Sequence, residues 1–141
     1  MLYNLDIKNV AVIENLSFAP GDGMTVLTGE TGAGKSVIID SVNMVLGDRT
    51  NKSIIRFGEA KASVCAVFST NDEINKMLLE YGINTDEDNV IISREITSDG
   101  KSIARVNGTV TILSTLKELS KMLINIHGQH DNQSLLTPSH H

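Results

Sequence analysis

Eight residues near the N-terminus have the types and the spacing of a loop that binds phosphate groups. The segment Gly29–Ser36 reads G-E-T-G-A-G-K-S and matches the pattern G-x-x-x-x-G-K-[S/T] at every fixed position. Its glycines allow the tight turns that direct successive backbone N–H groups at phosphate oxygens. Lys35 would bring its charge to the β- and γ-phosphates, and the hydroxyl of Ser36 would bind Mg²⁺. We therefore expect ATP with Mg²⁺ here, and the loop by itself also fits GTP.

Every position of this loop is predicted to contact the nucleotide. The backbone amides of the loop matter more than the side chains of Glu30 and Thr31, whereas Lys35 and Ser36 act through their side chains. The predicted nucleotide-binding set is Gly29, Glu30, Thr31, Gly32, Ala33, Gly34, Lys35 and Ser36.

The residues on both sides of the loop agree with this interpretation. Met24–Thr28 is a short β-branched and apolar run, which predicts a buried strand that ends at the loop. Val37–Leu46 predicts a helix with apolar residues around most of its circumference, and Gly47 is a stop signal. A helix that begins at the loop adds the positive end of its dipole to the anion site.

The bulk properties are those of an ordinary soluble globular protein. The chain has 141 residues, of which 40% are hydrophobic and 21% are charged. No segment has the length and apolarity of a membrane span or the pattern of a signal peptide. The only cysteine, Cys65, forms no internal disulfide, which suits a cytoplasmic protein, and we expect it to be a buried core thiol. The net charge of −5 argues against a broad nucleic-acid surface but not against a local one.

The remaining pattern is dominated by short strands. Tyr3, Leu5 and Ile7 alternate with polar residues, which predicts a strand that pairs antiparallel with the run from Val12 to Phe18. Tyr3 and Phe18 are predicted core residues. A further strand is predicted at 62–68, with Val64, Ala66 and Phe68 on one face. A helix capped by Asn71 or Asp72 is predicted at 72–81, and an acidic loop at 84–89.

The last part of the chain predicts an antiparallel meander and a second amphipathic helix. Residues 90–111 contain two hairpin turn signals, at Ser98–Gly100 and at Asn107–Gly108. Ile112, Leu116, Leu119 and Leu123 repeat at helical spacing, and residues 124–127 then predict a short strand that leads to Gly128 and Gln129.

The combination predicts an α/β fold of the P-loop NTPase class. One loop strand and helix are surrounded by an antiparallel β-subdomain, as in the head lobe of an ATP-binding-cassette (ABC) ATPase. We found no second acidic strand end and no signature loop, so residues 1–141 are predicted to be the N-terminal half of such a head. His140 and His141 fit either a native segment or the start of a tag.

Four segments resemble the beginning of the RecN family of bacterial DNA-repair ATPases, which belongs with the SMC proteins. They are Met1–Asn9, Val26–Ser36 with the following Leu46–Arg49, and Ile126–Leu136, which reads I-H-G-Q-H-D-N-Q-S-L-L. The resemblance covers essentially the whole chain, and the last segment makes it specific.

This resemblance implies two heads that dimerise around two ATP molecules, with a long coiled coil inserted after this segment. ATP hydrolysis would be coupled to DNA binding in double-strand break repair, in the cytoplasm at the nucleoid. Gln129 matches the family's glutamine that approaches Mg²⁺ and the attacking water, so Lys35 and Gln129 are the implied catalytic residues, and Ser36 and Gln129 the metal-contacting ones. The fragment would bind ATP much better than it hydrolyses it.

Several alternatives remain open at this point. The chain would also fit an ABC transporter ATPase subunit, or a structural module in which ATP only joins two heads. Arg49 and Arg56 would reach a γ-phosphate, or they would have surface or ion-pair roles. His127 and His130 would form half of a metal site, but no third ligand is evident, so packing or hydrogen bonding is favoured.

Overall fold

The computed structural model describes residues 2–19 and 32–126 of the chain. It contains six strands, three helices and one 3-10 turn within these ranges. The strands are β1 (Leu2–Val10), β2 (Ile13–Phe18), β3 (Lys61–Ser69), β4 (Asn89–Thr97), β5 (Ser102–Val106) and β6 (Thr109–Thr111). The helices are α1 (Gly32–Val45), α2 (Asp72–Glu80) and α3 (Leu113–Ile126), and the 3-10 turn is Lys52–Ile54.

The six strands form one antiparallel sheet with the order β2-β1-β3-β4-β5-β6. The hairpin β1–β2 and the meander β4–β5–β6 were predicted from the sequence and are confirmed. The turn between β5 and β6 has positive φ angles at Asn107 (50°) and Gly108 (88°), as a two-residue hairpin turn requires. The predicted strand Met24–Thr28 lies outside the described residues.

One face of the sheet carries the hydrophobic core. The predicted alternation on β3 is confirmed, since Ala62, Val64, Ala66 and Phe68 are all buried. Helix α1 packs against β1, β3 and β4, while α2 contacts α3 and α3 contacts β5. The helices therefore cover the apolar face, which removes the aliphatic side chains of both layers from water. None of the helices in the described part of the chain is long and apolar enough to cross a membrane.

The start of α2 shows how a single side chain defines a helix end. Asn71 lies in the extended conformation, and its Oδ1 accepts a hydrogen bond from the backbone N–H of Ile74 at 2.8 Å. The sequence left Asn71 and Asp72 as alternative caps, and the structure identifies Asn71.

Replacing Asn71 by alanine is expected to lower the free energy of unfolding by about 1 kcal/mol, because one N–H of the first turn loses its acceptor. Urea denaturation followed by circular dichroism measures this change. Asn71→Ser, which keeps a capping oxygen, is the matched control and is expected to retain most of the stability. Equal losses of unfolding free energy in the two variants would contradict the capping role of Asn71.

The prediction that Tyr3 is a core residue is wrong. Leu5 and Ile7 are fully buried as expected, but Tyr3 is 50% exposed and Leu2 is buried in its place. The pairing of β1 with β3 shifts between Leu2 and Asn4, so one extra residue on β1 interrupts the alternation. This bulge reverses the faces at the start of the strand.

Two predictions near the last helix are also wrong. Ile112 precedes α3 and is exposed, so the buried stripe consists of Leu116, Leu119 and Leu123. Residues 124–126 continue the helix and do not form a strand. The helical spacing that begins at Leu116 extends through this segment, and an uninterrupted helix keeps its backbone hydrogen bonds without a new strand partner.

Cys65 is not the buried core thiol that we expected. It alternates with the buried Val64 and Ala66, lies on the opposite face of the sheet, and is only half-buried. Partial burial, and secondarily the carboxylate of Asp6, raise the pKa of its thiol. The thiol therefore lies on the face of the sheet opposite the core, and its raised pKa lowers the fraction of thiolate.

Candidate functional site

Helix α1 begins inside the phosphate motif. It runs for 14 residues from Gly32 to Val45, so its first turn consists of the residues that the motif contributes. The predicted helix is confirmed, and it begins earlier than the apolar run suggested. The first N–H groups of an α-helix have no partner within the helix and carry the positive end of its dipole. This backbone arrangement suits an anion at the start of α1.

The predicted site residues differ in how far the structure describes them. Gly29, Glu30 and Thr31 lie outside the described residues, as does Gln129. Gly32, Ala33, Gly34 and Lys35 form the first helical turn, and the side chain of Ser36 is exposed. Whether these residues meet in one site stays a prediction. Within the described part of the chain, no three His, Cys, Asp or Glu side chains lie together as a metal site would require.

Beyond its first turn, α1 packs against the core through its buried side chains. Val37, Ile38, Val42 and Val45 face the core, and the buried Ser41 hydroxyl donates to the carbonyl of Val37 at 2.8 Å. The exposed face of the helix thus remains available to line a groove.

A groove of about 390 Å³ runs along the side of α1 that carries Asp40 and Asn43, next to the buried Val37 and Met44. Its walls are the side of α1, the turn between β1 and β2, and the segment 48–54. Acidic, amide, hydroxyl and guanidinium groups share the lining with aliphatic ones, a mixture that suits a polar small molecule with an apolar part. The lining residues are Val10, Ala11, Val37, Asp40, Asn43, Met44, Asp48, Arg49, Thr50, Asn51, Ser53 and Ile54.

Backbone hydrogen bonds join two walls of this groove. The N–H of Ala11 donates to the carbonyl of Ile54 at 2.7 Å, and the N–H of Arg56 donates to the carbonyl of Asn9 at 2.8 Å. Ala11 has a φ of 52°, which is strained for a residue with a Cβ. These two bonds hold the strained turn against the segment after α1.

The two arginines after α1 have different surroundings. Arg49 lines the groove. The guanidinium of Arg56 donates from Nη1 to the carbonyl of Val12 at 3.0 Å, so it is attached to the β1–β2 turn. This hydrogen bond is exposed, so it fits the surface role that the sequence also allowed for Arg56, with a backbone carbonyl as the acceptor.

Sequence reasoning missed Arg94, the largest fully buried polar side chain in the described structure. It is 1% exposed and donates from Nη1 to the carbonyls of Met44 at 2.6 Å and Asp48 at 2.9 Å. Burial lowers the pKa of its guanidinium, while the carboxylate of Asp48 opposes that effect. The signal was present, because Arg94 occupies a core position in the alternation of Val90, Ile92 and Ile96.

Comparison with known proteins gives a consistent result. The AAA domain family model matches residues 4–139. The chain is 42% identical over 143 residues to the DNA repair protein RecN of Bacillus subtilis, covering 100% of this chain and 25% of the relative. It is 43% identical over 141 residues to the RecN of Vibrio cholerae, covering 99% of this chain and 26% of the relative.

A solved structure shows the same fold. It comes from work on ATP-driven dimerisation and DNA-stimulated activation of SMC ATPases, and it matches with a TM-score of 0.66 and 24% identity over 96% of this chain and 90% of that chain. The chain spans about a quarter of the length of the curated relatives it matches. The predicted fold class, an ABC-type ATPase head lobe, is confirmed.

Proposed function

The chain belongs to the AAA domain family and is related along its whole length to the RecN DNA repair proteins, and on that premise we propose that it is the N-terminal, nucleotide-binding lobe of a RecN-like ATPase head. Two observations together support the proposal. The chain is about 40% identical to RecN along its entire length, and helix α1 begins within the phosphate motif. Residues 1–141 form one lobe, and a coiled coil and the second half of the head complete it in the longer protein.

The residues present fit ATP and Mg²⁺. The N–H groups of the first turn of α1, which have no partner within the helix, suit the phosphates, and the hydroxyl of the exposed Ser36 suits the cation. Lys35 would hold the β- and γ-phosphates by its charge, and Ser36 and Gln129 would be the metal contacts that this chain contributes. A bound cation would neutralise charge on the transferred phosphoryl group.

The groove beside α1 is the place that we propose for the nucleoside. It begins next to the first turn of α1 at Val37 and continues past Asp40 to Arg49. Its volume of about 390 Å³ falls within the usual range for small-molecule sites. Bound there, the nucleoside would contact the strained β1–β2 turn at Ala11.

Hydrolysis requires groups from outside this lobe. Gln129 orients the attacking water, because an amide is a good hydrogen-bonding partner but a poor base. The base is a carboxylate that the second half of the head supplies, and a second head closes over the nucleotide. We therefore propose ATP-driven homodimerisation that is coupled to DNA binding in double-strand break repair, in the cytoplasm at the nucleoid.

Two measurements on the full-length protein test this function. Sedimentation with Mg-ATP is expected to give dimers, whereas ADP is expected to leave monomers. Phosphate release is expected to rise when linear duplex DNA is added. Monomers under both conditions, together with no hydrolysis, would refute the proposal.

The same measurements separate the alternatives. Dimers that form with ATP but show no DNA-stimulated turnover would favour the structural module, in which ATP only joins two heads. If the chain belongs to a transporter ATPase subunit, a short helical insert is expected after Gln129. If it belongs to a RecN-like ATPase, hundreds of residues with heptad repeats are expected there. The similarity of the whole chain to RecN favours the second.

A further inference from the structure

Arg94 occupies a position where the sheet otherwise places apolar side chains. On β4 it follows Ile92 on the same face, and it stands opposite Val64 and Ala104 on the neighbouring strands. Burying a cation among aliphatic groups is unfavourable unless its hydrogen bonds compensate. A leucine or methionine would satisfy the alternation, so packing alone does not explain the arginine.

The guanidinium joins the sheet to the end of α1. Its Nη1 donates to the carbonyl of Met44, in the last turn of α1, and to the carbonyl of Asp48, just beyond the helix. Its Nη2 donates to Ser102 Oγ on β5 at 3.1 Å. A cation at this end complements the negative end of the helix dipole. One side chain thus fixes the helix end and the first peptide of the following segment.

A second side chain, on α3, contacts the same helix end. The hydroxyl of Ser120 has one hydrogen to donate, and its oxygen lies 2.5 Å from the carbonyl oxygen of Leu46 and 2.9 Å from that of Leu116 on its own helix. Gly47 turns the chain here with a φ of 106°, and a Cβ added to it would lie 3.2 Å from the backbone nitrogen of Lys117. We call Arg94 and Ser120 together the helix clamp.

The clamp and the proposed phosphate site lie at opposite ends of one rigid element. Helix α1 begins in the phosphate motif and ends at Val45, next to the clamp. Met44 and Asp48, whose carbonyls Arg94 binds, also line the groove. A shift of this helix end would therefore move both the axis of α1 and one wall of the groove.

We propose that Arg94 is a positioning residue for the nucleotide site, with Ser120 in the same role. The proposal rests on the proposed function, because it takes the groove and the start of α1 as the place where nucleotide binds. Arg94 acts through α1 and the Asp48 peptide, not by contact with the reacting phosphate.

The test compares two clamp variants, Arg94→Met and Ser120→Ala, with two control variants in the full-length protein. Arg94→Met keeps the length of the side chain but removes every donor. Ser120→Ala removes the hydroxyl contact with the Leu46 carbonyl. Ser102→Ala is the matched control, because it leaves both hydrogen bonds from Arg94 to backbone carbonyls intact. The dissociation constant of a fluorescent Mg-ATP analogue is measured at a temperature where circular dichroism shows each variant folded. Hydrogen exchange of the amides at 44–49 is measured without nucleotide.

We expect Arg94→Met to weaken nucleotide binding by about 10-fold and to speed exchange at 44–49, because small misplacements of a binding element are costly. Ser120→Ala is expected to weaken binding by about 3-fold, as loss of one hydrogen bond would. Ser102→Ala is expected to stay within about 2-fold of wild type. Leu78→Ala, which destabilises the core under α2, is expected to leave the affinity unchanged.

Three results would overturn the proposal. One is an unchanged affinity in folded Arg94→Met, and another is an equal loss of affinity in Leu78→Ala. If Arg94→Met does not fold, Ser120→Ala decides, and an unchanged affinity there is the third. Failure of the proposed function is seen separately, because wild-type protein would then bind no nucleotide while the exchange data still report on the clamp.

Discussion

Replacing Lys35 by alanine is expected to weaken Mg-ATP binding by about 10- to 100-fold and to lower hydrolysis by about 100-fold or more in the full-length protein. The ammonium group is the one positive side-chain charge of the motif, and a hydrogen bond from a cation to a phosphate contributes about 1.5–3 kcal/mol. The larger effect on hydrolysis is expected because negative charge develops on the transferred group in the transition state. Titration with a fluorescent ATP analogue and a phosphate-release assay measure the two effects.

The matched control for Lys35→Ala is Lys76→Ala. Lys76 is exposed on α2, so its removal changes the net charge by the same amount without touching the motif. We expect the affinity for Mg-ATP and the rate of hydrolysis to stay within about 2-fold of wild type, as for other surface substitutions. A Lys35→Ala protein that still bound ATP as tightly as wild type would refute the role assigned to Lys35.

The sequence predicted those features whose signals are local. The phosphate motif has fixed spacing, the strands alternate with period two, and the turns at Ser98–Gly100 and Asn107–Gly108 contain residues that accept positive φ. The helix after the motif, the β1–β2 hairpin and the meander are confirmed for that reason. The resemblance to RecN, based on four segments, is confirmed by comparison along the whole chain.

Features that depend on distant contacts were not predictable in the same way. The pairing of β1 with β3 joins residues about sixty positions apart, and no local signal indicates it. The bulge at Tyr3 belongs to that pairing, so the alternation in the sequence placed Tyr3 on the wrong face. Cys65 was assigned to the core from its residue type, although its position between Val64 and Ala66 placed it on the other face.

The candidate site was predictable only as a motif. The amino-acid sequence identified Gly29–Ser36 and Gln129 as site residues. That these residues lie together in one site stays a prediction. The groove and the clamp needed the structure, because the segment 48–54 and Arg94 contribute to them through the packing of α1. Arg94 does interrupt an otherwise apolar alternation, and such an interruption is a usable signal for a buried charge with a structural task.

The largest expected loss of stability follows from replacing Phe68 by alanine. Phe68 is fully buried on β3, opposite Leu2 of β1 and Val90 of β4. Removing a buried phenyl group loses its transfer free energy and leaves a cavity, which together cost about 3–5 kcal/mol. Urea denaturation should show a lower midpoint with an unchanged slope, because the surface exposed on unfolding hardly changes.

Phe57→Ala makes the same chemical change where the side chain is fully exposed, at 101% of its reference area. It is expected to change the free energy of unfolding by no more than about 0.5 kcal/mol. Equal losses in the two variants would contradict the burial of Phe68 and with it the packing of the sheet. Because Phe68 lies in the core and not in the groove, Phe68→Ala is also expected to bind Mg-ATP normally wherever it is folded. Stability and nucleotide affinity should therefore separate in Phe68→Ala, whereas Lys35→Ala should lose affinity and keep its stability.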